Sequence, residues 1–503
     1  MLGAARGMLR GAAPLYAVVF GLALANRLLP VLRGGGLAAV LGYDDAVYYA
    51  GAVGLVHGRL PYRDFLLLHP PGVLVALTPV AAWGRWVGET AGWEASRLVW
   101  MLLGCATSLV VVAVLLPLGR TAAAVGGGFY AVFPGAVLVE RTTLIEGLTN
   151  LLLAVTLALL IRELRSVPVR AAPVNVVRHG SRATLAAVGV LLGLSTAVKI
   201  WGIVPLVAVA VFVGIVLGFR QALVIMLGAV AASTVVCLPF FLAAPTQMWR
   251  MVVLDQLGRD QGTELLRRAA EIATMNRLTG DGAFVAIVVV MAGSVVCSVV
   301  TWRVRSYRVV VPVLVATVSL LVAAPIFYPH YMGIVAVPAA LLVGVTAGVL
   351  AAGSRRAAWR SALAVAALMA VTLDVVALSR IRSGALVPPA LTVPVQTAPG
   401  CLTSDDPNNL LALGVVGRNV ARGCDLVVDL GGHSHDLSRG QAVPRSRNAA
   451  WQRLVVDYLG SGHYTLATRF GPGRSYSKAT VSTIDSWPVR VHAGSHRLRE
   501  PSR

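Results

Sequence analysis

The stretch "YDDAVYYAGAVGLVHGRLPYRDFLLLHPPG" runs from Tyr43 to Gly72 and directly follows the first apolar run of the chain. It concentrates polar, aromatic and proline residues, among them the adjacent acids Asp44 and Asp45 and the pair Pro70 and Pro71. The chain around it is apolar, with 57% hydrophobic and 13% charged residues, whereas soluble domains have about 25% charged residues. A chain of this kind needs a reason to collect polar groups here.

Apolar runs about as long as a bilayer-spanning helix recur along the whole chain. Twelve can be counted, near residues 12–32, 72–88, 96–118, 121–139, 143–161, 183–199, 201–219, 222–243, 283–301, 309–326, 332–352 and 361–380. Backbone polar groups in lipid must be satisfied within each segment, which favours helices. The sequence therefore predicts an all-α polytopic membrane protein.

The basic loops indicate which runs cross the membrane. If all twelve crossed, the basic segments 162–182, 303–308 and 354–360 would lie opposite the N-terminal arginines. These basic segments lie on the same side as the N-terminal arginines if the run 72–88 does not cross. That run is short, contains a proline and ends near Trp83 and Trp86, which is typical of a helix lying at the membrane interface. We therefore predict eleven spans, a cytoplasmic N-terminus and an extracytoplasmic C-terminal domain in the cell membrane.

The predicted organisation places the polar features on the extracytoplasmic face. Residues 1–380 form the transmembrane domain, whose large external loops are 33–95 and 244–282. A linker at 381–395 leads to a small α/β domain at 396–480, followed by a basic, disordered tail at 481–503. Within the small domain, "CLTSD", "DLVVDL" and "HYTLATR" are typical of strands, and "SRNAAWQRLVVDYL" of an amphipathic helix.

Charge and cysteine usage narrow the function. The net charge is +21, but it is spread over many loops, which argues against nucleic acid as a partner. No spacing typical of a metal site occurs, so we predict neither metal nor cofactor. Cys401 and Cys424 are able to form a disulfide if their domain is extracytoplasmic.

Asp44 and Asp45 stand at a hydrophobic boundary, where carboxylates are costly unless they are paired or used. One of them can act as a general base, or an Asp can cap the following helix. Tyr48 lies on the same helical face as Asp44. In the rest of the motif, Arg63 and Asp64 can pair locally. His69 can contact a phosphate or lie at the headgroup level, while Pro70 and Pro71 force a turn.

Three further sites carry polar groups at the ends of spans. Glu146 lies inside an apolar run, so it either faces a cavity or is favoured by the helix dipole. Lys199, between two spans, either meets a phosphate or extends to lipid headgroups. His330 and Tyr331 stand at an external mouth, where a phosphate or an acceptor could bind.

Taken together and in this order, these motifs resemble the GT-C superfamily of polyprenyl-phosphate-sugar-dependent glycosyltransferases. The branch most similar is that of bacterial relatives of protein O-mannosyltransferases and lipid A aminoarabinose transferases. The resemblance rests on the acids 44 and 45 with Tyr48, on "GRLPYRDFLLLHPPG", on Glu146, on "AVKIWG" around Lys199, and on His330 with Tyr331. It covers roughly residues 10–380 and does not include the C-terminal domain.

The resemblance implies a mechanism. Asp44 is favoured over Asp45 as the base that deprotonates an acceptor hydroxyl, which attacks the sugar with inversion and without a metal. Lys199, His330, Tyr331 and loop arginines such as Arg259 would stabilise the donor phosphate. The sugar, mannose or arabinose among others, would pass to an envelope glycan, glycolipid or protein. The alternatives are a lipid-linked sugar flippase and a non-catalytic envelope scaffold.

Overall fold

The structure is a computed structural model that describes residues 2–166, 181–258, 265–274, 280–353, 384, 386–438, 443–472 and 475–501. The α-helices in the transmembrane part and its loops are Leu2–Arg33, Tyr43–Val56, Gly72–Val87, Glu89–Leu115, Arg120–Val132, Pro134–Glu140, Ile145–Ser166, Arg182–Val198, Ile203–Val216, Phe219–Ala243, Pro245–Trp249, Asp255–Leu257, Leu265–Thr274, Gly280–Arg303, Val310–Ala323 and Ala336–Ala352. Short 3-10 turns are Leu116–Leu118, Ile200–Gly202, Arg305–Tyr307 and Pro329–Val335, and Arg250–Leu254 is a π-helical turn.

The helices confirm the polytopic all-α fold. Seven described helices are long and apolar enough to cross a membrane, and an eighth span results if Arg120–Val132 and Pro134–Glu140, bent by 55°, count as one. The shorter apolar helices Arg182–Val198 and Ile200–Val216 coincide with two more predicted runs. The predicted run at 361–380 lies outside the described residues. The total of eleven spans and the sidedness of the termini therefore stay predictions.

One buried ion pair in the helix bundle joins Arg27 and Glu140. The Arg27 guanidinium lies 2.5 Å from Glu140, and both side chains are 0% exposed. The Tyr130 hydroxyl donates to the other Glu140 oxygen at 2.5 Å. Because unpaired buried charges are strongly unfavourable, this cluster fixes the helix Leu2–Arg33 against the bent pair that leads to Glu140.

The stretch from Tyr43 to Gly72 forms a helix, a tight turn and the start of a second helix. Within the turn, the Tyr62 hydroxyl donates to the His69 carbonyl at 2.7 Å. Pro71 then caps the helix Gly72–Val87. A Cβ on Gly72 would lie 2.5 Å from the carbonyl oxygen of Ala197, so the absence of a side chain allows this helix to approach Arg182–Val198. The predicted helix at 72–88 is present, and its orientation in the membrane remains a prediction.

The C-terminal region contains a four-stranded mixed sheet. Its strands are β1 (Leu402–Ser404), β2 (Tyr464–Leu466), β3 (Val489–Ala493) and β4 (His496–Arg499), in the order β1-β2-β4-β3. β1 and β2 are parallel, and the other neighbours are antiparallel. The helices around the sheet are Thr392–Thr397, Pro407–Ala412, Val416–Ala421, His433–Ser438, Ala449–Gly460 and Lys478–Ser486, with 3-10 turns Pro389–Leu391 and Arg445–Arg447. Cys401 and Cys424 form a disulfide.

Two predictions about this region are wrong, and one predicted boundary falls inside a helix. The segment "DLVVDL" contains no strand. The predicted disordered tail at 481–503 instead supplies part of a helix and the β3–β4 hairpin, because its alternating residues pair across the turn at Gly494. The predicted linker at 381–395 enters the helix Thr392–Thr397.

The C-terminal region packs directly on the loop region 33–95. Leu402, Leu466 and Leu498 from the sheet share one apolar core with Val47 and Leu74 from the loop helices. Hydrogen bonds reinforce the contact. The Asn408 side chain donates to the Gly42 carbonyl at 2.9 Å, and the Glu89 carboxylate accepts from the backbone of Val416 and Gly417 at 3.0 and 2.7 Å. The loop and the C-terminal region therefore form one wall over the helix bundle.

Candidate active site

A cavity of about 440 Å³ opens between the helix bundle, the loop region 33–95 and the C-terminal region. It brings together residues that are hundreds of positions apart in sequence. From the predicted set, the residues that line it are Asp44, Tyr48, His69, Glu146, Lys199, His330 and Tyr331. Their proximity makes this cavity the candidate active site, while their individual roles remain predictions.

The helix Tyr43–Val56 separates the two adjacent acids. Gly42 is its N-cap and makes no side-chain hydrogen bond, so neither Asp is the cap. Asp44 borders the cavity and is partly exposed. Asp45 is 0% exposed and forms an ion pair with Arg97. It also accepts from the Thr143 backbone at 2.8 Å and from the Thr143 hydroxyl at 2.7 Å. Asp45, the other acid that the sequence offered as a base, is therefore enclosed by its partners and is not among the residues that line the cavity.

Lys199 and Glu146 form an ion pair at the floor of the cavity, 2.5 Å apart. Both are nearly fully buried. The ammonium also lies 4.3 Å from the centre of the Trp201 ring and 4.2 Å from that of Tyr331, which are cation–π distances. The Lys199 charge is thus held by a carboxylate and two aromatic rings, and Glu146 lines the cavity, which is one of the two alternatives that the sequence left open.

His330 completes this cluster from the other side. Its Nε2 lies 4.0 Å from the same Glu146 oxygen that binds Lys199, and its ring packs 4.6 Å from the Tyr331 ring. The second Glu146 oxygen, Oε2, is buried and has no hydrogen-bond partner among the described residues. A buried carboxylate oxygen without a donor is unfavourable, so the floor of the cavity has capacity for a further donor, such as a substrate hydroxyl.

Tyr48 lines the cavity and packs against His69. Its ring is 5.8 Å from the His69 ring in an edge contact. Burial, reinforced by the Asp44 and Glu146 carboxylates, raises the pKa of Tyr48 well above its usual value. The hydroxyl therefore stays protonated and can only donate or accept hydrogen bonds.

The remaining motif residues shape the loop rather than the cavity. Arg63 and Asp64 pair at 2.8 Å, with the Arg63 side chain 51% exposed. The Asp64 carboxylate also accepts from the Leu60 backbone at 2.7 Å, and the hydrogen bond with Arg63 lowers the pKa of Asp64. Pro70 and Pro71 are buried at the turn into the next helix. Arg259 lies outside the described residues.

The C-terminal region supplies a wall of the cavity that the sequence did not predict. Its lining residues are Asp429, Gly431, Gly432, His435, Arg445, Arg469 and Phe470. The resemblance places all functional residues before position 380. The sequence pattern around Asp429 predicts a strand, which the structure does not contain. The signal that could have corrected this is the Gly431–Gly432 pair, since two consecutive glycines indicate a turn.

No group of three or more His, Cys, Asp or Glu side chains able to hold a metal ion occurs within the part of the chain that the structure describes.

Comparison with solved structures identifies the fold. ArnT from Cupriavidus metallidurans in the apo state is similar over 97% of this chain and 98% of its own, with a TM-score of 0.58 and 15% identity. ArnT bound to undecaprenyl phosphate covers 97% of both chains, with a TM-score of 0.52 and 14% identity. No protein-family model and no curated protein matches the sequence.

A second protein of known structure extends the comparison. The archaeal oligosaccharyltransferase AglB from Archaeoglobus fulgidus, in complex with an inhibitory peptide and a dolichol-phosphate, is similar over 91% of this chain and 69% of its own. The TM-score is 0.57 and the identity 12%. The chain therefore has the GT-C fold that the sequence resemblance predicted, together with a small C-terminal α/β region.

Proposed function

We propose that the protein is a membrane glycosyltransferase that moves a sugar from a polyprenyl-phosphate donor to a hydroxyl group of a cell-envelope acceptor. The observation that carries the proposal is the cavity in which Asp44 faces the cluster of Lys199, Glu146 and His330. The solved structures of the same fold that contain undecaprenyl phosphate or dolichol-phosphate support a lipid-linked donor. The reaction would take place on the extracytoplasmic face.

Asp44 is the proposed general base. It borders the cavity beside the Lys199 cluster, whereas Asp45 is enclosed by Arg97 and Thr143. The Asp44 carboxylate takes the proton of the acceptor hydroxyl as the hydroxyl oxygen attacks the anomeric carbon of the donor sugar. The bond from that carbon to the phosphate oxygen breaks, and its electron pair leaves with the phosphate. A single displacement of this kind inverts the anomeric configuration.

The charge that develops on the leaving phosphate needs stabilisation more than protonation. Lys199 is the buried cation at the floor, and Glu146 with the Trp201 and Tyr331 rings fixes its position. His330 stands beside it. Cations that are already oriented before the reaction stabilise the developing charge without reorganisation. We therefore assign donor-phosphate binding to Lys199, His330 and Tyr331, with Glu146 as the group that orients Lys199.

The test is sugar transfer by the purified protein in proteoliposomes. Radiolabelled undecaprenyl-phosphate mannose and undecaprenyl-phosphate arabinose would be supplied with an envelope fraction from cells that lack the protein. The wild type should label the fraction with one of the donors, and Asp44→Asn should lose at least a thousandfold in rate. The matched control is Asp457→Asn, an exposed carboxylate on the helix Ala449–Gly460, outside the cavity. Equal rates for the wild type and Asp44→Asn would refute the assignment of the base.

A further inference from the structure

Two arginines from the C-terminal region, Arg445 and Arg469, line the same cavity as Lys199. The Arg445 guanidinium carbon lies 5.2 Å from the centre of the Phe470 ring, and that of Arg469 lies 5.0 Å from the centre of the Tyr43 ring. The Tyr43 and Phe470 rings are themselves 6.2 Å apart in an edge contact. The two guanidinium groups are thus held beside one pair of packed aromatic rings, which we call the arginine wall.

The arginine wall has carboxylates nearby but no ion pair to them, and Asp406 interacts with Arg469 through its charge alone. Among the described residues, neither guanidinium forms an ion pair, and the hydrogen bond of the Arg445 side chain goes to the Gly431 carbonyl at 3.2 Å. The Arg445 Nε is buried and has no acceptor in the described part of the chain. The Asp429 carboxylate in the same cavity accepts instead from the Gly432 backbone at 2.7 Å. A buried guanidinium nitrogen without an acceptor is unfavourable, so this site is suited to an anion.

The wall is built into the fold rather than left on a loose surface. Asp405 is fully buried and accepts hydrogen bonds from the backbone of Thr468, Arg469 and Phe470 at 2.7 to 3.1 Å. On the other side, the Gly431 backbone donates to the Tyr43 hydroxyl at 3.1 Å. Tyr43 directly precedes Asp44 in the helix, so the position of the arginine wall is tied to that of the proposed base.

The proposed donor has only one phosphate, and the buried cation Lys199, which Glu146 and two aromatic rings hold in place, is the group assigned to it. We infer that Arg445 and Arg469 bind an anionic group of the acceptor, a phosphate or a carboxylate that lies near the reactive hydroxyl. This inference rests on the proposed function, since it divides the cavity between donor and acceptor. Guanidinium groups suit both anions because their planar N–H donors match the oxygen geometry.

The experiment measures binding, independently of turnover. The full-length protein in detergent is first saturated with undecaprenyl phosphate and then titrated calorimetrically with glycerol phosphate, glycerate or glycerol as probes. The wild type should bind at least one of the two anions more than tenfold more tightly than glycerol, and the anion that binds identifies the acceptor group. The double variant Arg445→Gln/Arg469→Gln should lose this preference while its affinity for undecaprenyl phosphate stays within twofold.

Arg453→Gln is the matched control, because Arg453 is an exposed arginine of the neighbouring helix that does not line the cavity. Equal binding of glycerol and both anions to the wild type would overturn the inference. So would a tenfold loss of undecaprenyl phosphate affinity in the double variant, because the arginines would then belong to the donor site. A wild type that binds an anion through the two arginines but transfers no sugar would refute the proposed function and leave the anion site in place.

Discussion

Asp44 and Asp45 are adjacent in sequence and begin the same helix, yet their surroundings are opposite. Asp45 is enclosed by Arg97 and Thr143 and is 0% exposed. Asp44, one position earlier, points to a cavity that also contains Lys199, Glu146 and His330. A rotation of about 100° per residue along a helix places neighbours on different faces. The same chemical group is therefore enclosed by its partners on one face and borders the cavity, as the proposed base, on the other.

The closed side extends beyond one pair. The Arg97 side chain also donates to the carbonyl oxygens of Leu37 and Ala39, so it joins the segment before the helix to Asp45. Thr143 belongs to the turn that precedes Glu146. The Asp45 network consequently connects three segments near Asp44. The position of Asp44 at the cavity therefore depends on the buried network around Asp45. This dependence can be tested by changing the two sides separately.

The largest expected difference is between Asp44→Asn and Asp45→Asn. Asp44→Asn should lower the rate of sugar transfer at least a thousandfold, because an amide cannot take the proton of the acceptor hydroxyl. Asp45→Asn should instead destabilise by about 3 kcal/mol, because it leaves the Arg97 charge buried and unpaired. Transfer assays and unfolding in a denaturing detergent, followed by tryptophan fluorescence, measure the two effects. Similar profiles for both variants would remove the distinction between the acids.

The next largest effect concerns Arg97. Arg97→Met should cost about 3–5 kcal/mol of stability, because Asp45 loses its countercharge in a buried position. The double variant Arg97→Met/Asp45→Asn should recover part of that loss, since no uncompensated charge remains. The unfolding titration gives both values. A double variant that is no more stable than Arg97→Met alone would show that the ion pair is not what stabilises this side.

A smaller effect is expected at the floor of the cavity. Lys199→Gln should lower kcat/KM for the donor by about 10- to 100-fold, because the leaving phosphate loses a preoriented cation. Lys199→Gln also leaves the buried Glu146 carboxylate without its countercharge, which lowers stability. The double variant Lys199→Gln/Glu146→Gln removes that charge, so it should regain stability without regaining activity. Recovery of activity in the double variant would mean that Lys199 acts only as the partner of Glu146.

The sequence predicted the fold and the helix-side residues of the cavity because both depend on local patterns. Apolar runs of spanning length define the helices, and polar groups at the ends of such runs are few enough to stand out. Glu146, Lys199 and His330 were found in this way and lie within one cluster. Their pairing could not be predicted, because it depends on how distant helices pack against one another.

The remaining features depend on contacts between distant segments. Arg97 lies in an apolar run with no local sign that it would meet Asp45, 52 positions away. The arginine wall lies in a region that the family resemblance did not cover. The β3–β4 hairpin, in contrast, had a local signal in two alternating runs around Gly494, but the basic composition of the tail favoured disorder. Composition is a weaker guide than alternation where the two disagree.

The smallest expected effect concerns pH and the support of the arginine wall. Burial raises the pKa of Asp405 to about 6, although its backbone and Tyr476 hydrogen bonds oppose the shift. Because the folded state holds this proton more tightly than the unfolded state, stability is greatest at low pH and falls as the pH rises through about 6. Between pH 4.5 and 7 the sheet should lose about 2 kcal/mol. Hydrogen-exchange protection factors for β1–β4 measure this loss, and Asp405→Asn should abolish it while Asp457→Asn retains it. A loss of the same size in Asp405→Asn would assign the pH dependence to another group. Asp405 would then be ionised in the folded protein, with its charge satisfied by the hydrogen bonds that it accepts.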